Sequence, residues 1–202
     1  TEREPTMSLA KLRKKIDVLD EKIIFLLNER AKISLHIGKE KIKSNRGIYS
    51  PDREKAILDR IRKINKGPMG KEAFEAIYRE IMSSSLSLEK PLHIAYLGPQ
   101  ASFTNLAAMK KFGSQVDYVS CDNISEVFLR VEKGDCDYGV VPIENSIEGA
   151  VTHTFDLLVD SDLKICSQIL LEISHNLLSK TKDVKKIKAV YSNPQVFGQC
   201  RN

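Results

Sequence analysis

Tryptophan is absent from these 202 residues, cysteine and histidine occur four times each, and no apolar run approaches the roughly 20 residues that span a bilayer. Cys121, Cys136, Cys166 and Cys200 are far apart, with no C-x-x-C pair and no histidine at a metal-ligand interval, so they read as reduced core thiols. His36, His93, His153 and His175 are isolated too, and neither a metal nor a cofactor is expected. Aromatics make up 6%, and dense basic clusters interleaved with them, the mark of a nucleic-acid face, are missing. The first residues contain no signal-peptide core. These absences lead us to expect a cytoplasmic protein acting on neither nucleic acid nor membrane.

What is present is unevenly distributed. Residues 1–90 hold 21 Lys and Arg against 14 Asp and Glu, a net +7, and the remainder hold 11 against 13, a net −2, which together make the +5 of the chain. A modest positive excess on one segment suits a small anionic ligand. Leu9, Leu12, Ile16, Leu19, Ile23, Leu26, Arg30, Ile33 and Ile37 recur at intervals of three and four. That spacing predicts one long helix, capped by Ser8 and running to about Lys43, whose seam is buried against other helices. A lone helix of this length has no place to hide its seam, so dimerisation is expected. Ser50-Pro51 opens a second helix with Ile57, Ile61 and Ile64 inward, ended by Gly67-Pro68. A third runs from about Lys71 to Leu88 with Phe74, Ile77, Ile81 and Leu88 inward.

After Lys90-Pro91 the pattern changes. Strands are predicted at Leu92–Leu97, Val116–Ser120 and Tyr138–Ile143, alternating with helices at Phe103–Phe112, from Asn123 to near Gly134, and around Thr154–Val159. Asn123 and Glu126 have capping-box spacing. Further strands are predicted at Ile165–Ile173 and Ile187–Tyr191. This alternation implies a mostly parallel sheet with right-handed crossovers. Domains are therefore placed at residues 8–90 and 92–202.

An arginine in an apolar seam needs a negative partner, and Lys41, eleven residues on, projects from nearly the same face. The candidate polar set is Arg13, Arg30, Lys41, Arg53, Glu54, Ser85 and Glu89. Arg13 lies about a quarter turn around and some five turns along from Arg30, so only an antiparallel partner chain brings it to the same point. Several buried cations call for a multiply anionic ligand. Taken singly, Arg13, Lys41 and Arg53 are ordinary surface charges, Arg30 equally suits a register-setting polar residue, Ser85 a small packing residue and Glu89 a helix-end charge. Only the joint spacing favours a site.

Leu12-Arg13 through Leu19-Asp20-Glu21-Lys22, Leu27-Asn28-Glu29-Arg30, Gly38-Lys39-Glu40-Lys41, Asp52-Arg53-Glu54 and the segment from Ser85 to Glu89 together resemble the all-helical chorismate mutase family, over residues 8–90. The resemblance implies an intertwined helical dimer with two shared sites that rearranges chorismate to prephenate. It implies that Arg30 and the partner's copy of Arg13 hold the substrate carboxylates, with Arg53 nearby. Lys41 would contact the ether oxygen, and Glu54 and Ser85 the ring hydroxyl and a carboxylate. Where many members carry glutamine this chain has Glu89, and only a protonated acid donates to that oxygen, so mutase activity is expected to decline as pH rises. Ser50 stands where aspartate is frequent.

Gly98-Pro99-Gln100-Ala101-Ser102-Phe103-Thr104 and Val140-Val141-Pro142-Ile143-Glu144-Asn145-Ser146 each follow a strand and precede a helix, an arrangement that offers free N–H groups to a carboxylate or serves as an ordinary turn. Together with His175-Asn176-Leu177, Val190-Tyr191-Ser192 before Pro194-Gln195, and Gln199-Cys200, they resemble the prephenate dehydratase family, whose lobes resemble periplasmic binding proteins. The order of the two resemblances is that of the bifunctional enzymes of phenylalanine synthesis. It implies that Asn145, Ser146 and Gly149 line a prephenate site with Ser102 and Thr104 near it. Ala101 replaces the usual glycine, Asn193 the usual histidine, and the family's Thr-Arg-Phe motif does not occur in these residues. The second lobe is expected to be incomplete, dehydratase activity absent or very weak, and feedback inhibition absent. The fold class expected is thus multidomain: a three-helix α domain, then a periplasmic-binding-protein-like α/β lobe. A different class of reading is a non-catalytic dimerisation module fused to a domain that binds a small carboxylate.

Overall fold

The computed structural model describes residues 8–44, 47, 49–145, 149–192, 196–197 and 200. The chain divides into two compact units, one comprising Thr1–His93 with Phe112–Asp117, the other Ile94–Lys111 with Tyr118–Asn202.

The first unit is built from α1 (Leu9–Lys43), α2 (Pro51–Ile64) and α3 (Lys71–Glu89). Proline at the first position of α2 needs no helical partner for its missing N–H, and Asn65 follows as the C-cap. Ser8 and Ser50 occupy the N-cap positions, yet neither hydroxyl makes the expected cap bond; their carbonyls alone accept, from Leu12 and Glu54 N–H at 3.1 Å each. Both α1 and α2 pack on α3, and Arg62 ties α2 to α3 through Glu75 at 2.7 Å. The predicted α1 seam is not covered within one chain: Leu12, Ile16, Leu19, Ile23, Leu26, Ile33 and Ile37 are all exposed, Leu26 at 63%. One α3 is too short to line a helix of 35 residues, and it meets only the C-terminal half, where Ser34 and Gly38 are buried. Ile61 is inward as expected, whereas Ile64, Ile77 and Leu88 are exposed for the same want of neighbours.

The second unit is a small α/β layer. Strands β1 (His93–Leu97), β2 (Asp117–Cys121) and β3 (Tyr138–Val140) form a sheet in the order β2-β1-β3, with β1 and β3 parallel. Helices α4 (Phe103–Phe112), α5 (Ile124–Glu132) and α6 (Thr152–Asp160) lie between and after the strands. Ala95, Cys121, Val127 and Cys136 form its core, with Val119, Val131 and Val141 against them. A Cβ on Gly139 would lie 2.8 Å from Val127 Cγ1, so glycine is what lets α5 close on β3. Asn123 accepts from Glu126 N–H at 2.9 Å, and the Glu126 carboxylate accepts from Asp122 N–H, one residue before the position a capping box uses.

Three expectations are corrected here. The third strand ends at Val140 rather than Ile143, because Pro142 has no N–H for the ladder. Glu144–Asn145 and Gly149–Ala150 instead form a short antiparallel pair, β4 and β5. No strand forms at 165–173 or 187–191: a strand exists only by pairing, and these residues join no ladder; Leu170 and Tyr191 are exposed, and the Leu170 carbonyl accepts instead from Lys110 Nζ at 3.1 Å. The one regular element there is a 3-10 turn, Val184–Lys186. Cys166 and Cys200 are exposed, so only Cys121 and Cys136 are core thiols; burial pushes the pKa of both up, as suits inert packing residues.

Candidate functional site

Arg30 does not sit on the open part of the seam. It is half-buried on the side of α1 that meets α3, where its guanidinium donates to the Ser85 hydroxyl and, at 3.4 Å, to the Ile81 carbonyl. Ser85 is buried and donates to the same carbonyl at 2.8 Å. Further along, Lys41 Nζ lies 2.9 Å from Glu89 Oε2, a pair whose carboxylate side chain is only 8% exposed. Arg30 and Lys41 are rooted about 16 Å apart on α1, while their partners are rooted about 6 Å apart on α3, so the two long side chains converge. Their electrostatics agree. Burial lowers the Arg30 pKa, Tyr78 acts to raise it, the neighbouring Arg53 charge lowers it, and the Glu89 charge raises it. Three cations thus share one region with one buried carboxylate, an arrangement suited to a ligand carrying more than one negative charge.

The close approach that makes this possible rests on Gly38. A Cβ there would stand 2.9 Å from Glu89 Cα, so any side chain would push α3 away from α1 at the level of the Lys41 pair. Glu54, in the first turn of α2, is half-buried and accepts from the Tyr49 hydroxyl at 2.6 Å. Arg53 is exposed but near enough for its charge to act on Arg30. Arg13 is exposed on the N-terminal half of α1, about 25 Å along the helix from Arg30. One chain therefore brings Arg30, Lys41, Ser85 and Glu89 together, with Arg53 within electrostatic reach, and leaves Arg13 apart from them. Tyr49, Tyr78 and the spacing role of Gly38 were not singled out from the sequence. A signal existed for Tyr78, which precedes Ser85 by seven residues, two helical turns, and so shares its face.

In the second unit the turn before α4 is held by its own polar atoms. Ser102 donates to Leu97 O at 3.0 Å and accepts from Asn105 N–H at 3.2 Å, while buried Asn105 accepts from Ala101 N–H at 3.0 Å. The Ser102 hydroxyl is thus engaged in both directions by the backbone, as in an ordinary strand-to-helix turn. Thr104 is half-buried in the first turn of α4. Asn145 pairs with Gly149 across the β4–β5 ladder, and Gly149 has φ +81 with open space where a Cβ would stand. Ser146, Asn193, Gln195 and Gln199 lie outside the described residues. The His175 ring meets Phe103 edge-on with centroids 5.7 Å apart, which brings the His175-Asn176-Leu177 segment to the start of α4. Thr154, fully buried, donates to Pro142 O at 2.7 Å and anchors the loop that carries β4 and β5. Among the described residues no group of acidic, histidine or cysteine side chains is arranged to hold a metal, and no helix is long and apolar enough to cross a membrane.

Comparison with known proteins matches both units. The family model described as chorismate mutase type II matches residues 12–90, and that described as prephenate dehydratase matches 94–202. The chain is 46% identical over 198 residues to the bifunctional chorismate mutase/prephenate dehydratase of Aquifex aeolicus, an alignment covering 96% of this chain and 55% of that protein. It is 44% identical over 191 residues to the protein of the same name from Neisseria gonorrhoeae, with 94% and 52% covered. For the protein of that name from Pseudomonas aeruginosa the figures are 43% over 199 residues, with 96% and 54% covered. The chain spans about half the length of these curated relatives. It belongs to the prephenate dehydratase family, with a type II chorismate mutase domain ahead of the dehydratase segment.

Proposed function

We propose that the helical domain, residues 8–90, is a chorismate mutase that converts chorismate to prephenate, and that residues 92–202 contribute to a prephenate dehydratase that yields phenylpyruvate. The observation that carries the first part is the convergence of Arg30 and Lys41 on Ser85 and Glu89. Arg30 and Arg53 supply the charge to hold a dicarboxylate, and the partner's copy of Arg13 completes the site in a homodimer. Lys41 donates to the ether oxygen as the C–O bond breaks, and Glu54 and Ser85 orient the ring hydroxyl and a carboxylate. The rearrangement is pericyclic, so the site needs neither a nucleophile nor a cofactor; it restrains a flexible dianion and stabilises charge developing on oxygen.

The uncovered aliphatic face of the first half of α1 supports the dimer, since that much apolar surface in one contiguous stripe is costly in water. In the second unit Ser102, Thr104, Asn145, Ser146 and Gly149 are proposed near the prephenate carboxylates, in a lobe of the periplasmic-binding-protein kind, and the cytoplasm is the proposed compartment. The decisive measurement is the optical loss of chorismate with the purified 202-residue chain. Turnover is expected, with kcat/KM reduced about a hundredfold or more by Arg30→Ala. An inactive chain, or an unaffected variant, refutes the mutase assignment. Phenylpyruvate release from prephenate is measured in parallel, and a rate near that of the mutase step would overturn the expectation of weak dehydratase activity.

A further inference from the structure

Tyr49 immediately precedes the N-cap of α2, and Glu54 is the fourth residue of that helix. These two positions normally face each other, and in many helices an apolar pair fills them and fixes the angle at which the chain enters. Here the pair is a phenol and a carboxylate: the Tyr49 hydroxyl donates to Glu54 Oε2 at 2.6 Å, the length of a charge-assisted O–H···O⁻ bond. The phenol ring is itself held. Tyr49 is 8% exposed, and its ring packs against that of Phe112, which is 4% exposed, with centroids 5.0 Å apart and planes inclined at 53°. Phe112 belongs to the same compact unit as the three helices. A glutamate in an exposed first turn samples several rotamers; one tied to a buried, packed phenol keeps one carboxylate orientation.

We propose that Tyr49 is a positioning residue that holds the Glu54 carboxylate in the orientation that meets the hydroxyl group of the substrate, with Phe112 as the wall that fixes Tyr49. This deepens the mutase assignment and rests on Glu54 touching substrate. The ring hydroxyl is present in the ground state and unchanged in the transition state, so the loss of a correctly aimed acceptor appears in KM rather than kcat.

The test is a double-mutant cycle with chorismate as substrate, using Tyr49→Phe, Glu54→Ala and the double variant of the full 202-residue chain, with thermal unfolding followed in each. Tyr49→Phe keeps the ring on Phe112 and removes only the hydroxyl. In the parent background it is expected to raise KM about tenfold with kcat within about twofold; in the Glu54→Ala background it is expected to change neither. The same loss in both backgrounds, or a fall in kcat at constant KM that tracks a lower unfolding temperature, shows a purely structural role and overturns the proposal. So does an unchanged KM in the parent background. If Glu54→Ala alone leaves kcat/KM intact, the substrate contact of Glu54 is refuted and the proposal falls with it, while Arg30→Ala reports separately on the mutase assignment.

Discussion

At Ala101 the backbone has φ +64, in the left-handed region where a Cβ is crowded by the following carbonyl. Glycine is the usual residue there in the family this segment resembles, and the turn shows why. Ala101→Gly relieves a cost of about 1 kcal/mol per residue, and glycine returns part of it through greater freedom of the unfolded chain. A net gain of about 0.5 kcal/mol is expected, read as a higher urea midpoint for the α/β unit. Glu89 carries the second residue-level expectation. Its carboxylate is held by Lys41 at 2.9 Å, so a neutral amide in its place tests what the ion pair contributes. Glu89→Gln, whose amide N–H donates where the carboxylate only accepts, is expected to keep chorismate turnover within about tenfold of the parent, and loss of turnover excludes a donor at this position.

Between elements, the contact of α1 with α3 is set by Gly38. Gly38→Ala gains about 1 kcal/mol of helix propensity, and it forces a Cβ to within 2.9 Å of the Glu89 backbone. Overpacking of this kind costs about 1–3 kcal/mol, so a lower unfolding temperature is expected. A larger effect is expected on catalysis, since displacing the Lys41–Glu89 level by even 1 Å costs up to about a hundredfold in chorismate turnover. The start of α5 gives an acid-sensitive counterpart. The Asp122 N–H, then the Arg130 guanidinium, hold the Glu126 carboxyl below the usual carboxylate range. A carboxyl depressed in the folded state adds stability above its unfolded pKa of about 4.3, and that stability is lost as pH falls through the folded value. Glu126→Gln is therefore expected to make the α/β unit's urea midpoint vary less between about pH 6 and about pH 3. Equal acid sensitivity in both proteins would contradict it.

For the whole molecule, the question is what covers the first half of α1. Arg13 and Arg30 lie on one helix about 25 Å apart, so a shared site predicts complementation between subunits. Arg13→Ala and Arg30→Ala are each expected to be inactive alone. Mixed after dissociation and reassociation, half the dimers are hybrids with one intact site each, so about one quarter of parental activity is expected to return. Sites built within single chains would recover nothing. The three helices and the first three strands were legible in the residue order, because apolar periodicity, Pro51 and Gly67-Pro68 are local signals with local consequences. The meeting of Arg30, Lys41, Ser85 and Glu89 on neighbouring helices was half legible: spacing put Arg30 and Lys41 on one face of α1 and singled out Ser85 and Glu89 on α3, but nothing in the residue order paired one helix's residues with the other's. What the sequence by itself determined is the succession of a helical and an α/β unit and the identity of the charged groups. Tertiary structure alone decided that the 165–173 and 187–191 segments stay unpaired, that Gly38 sets the helix spacing, and that Phe112 packs on Tyr49. Pairing, close approach and burial depend on what a residue meets far away in the chain, and no local pattern encodes that distance.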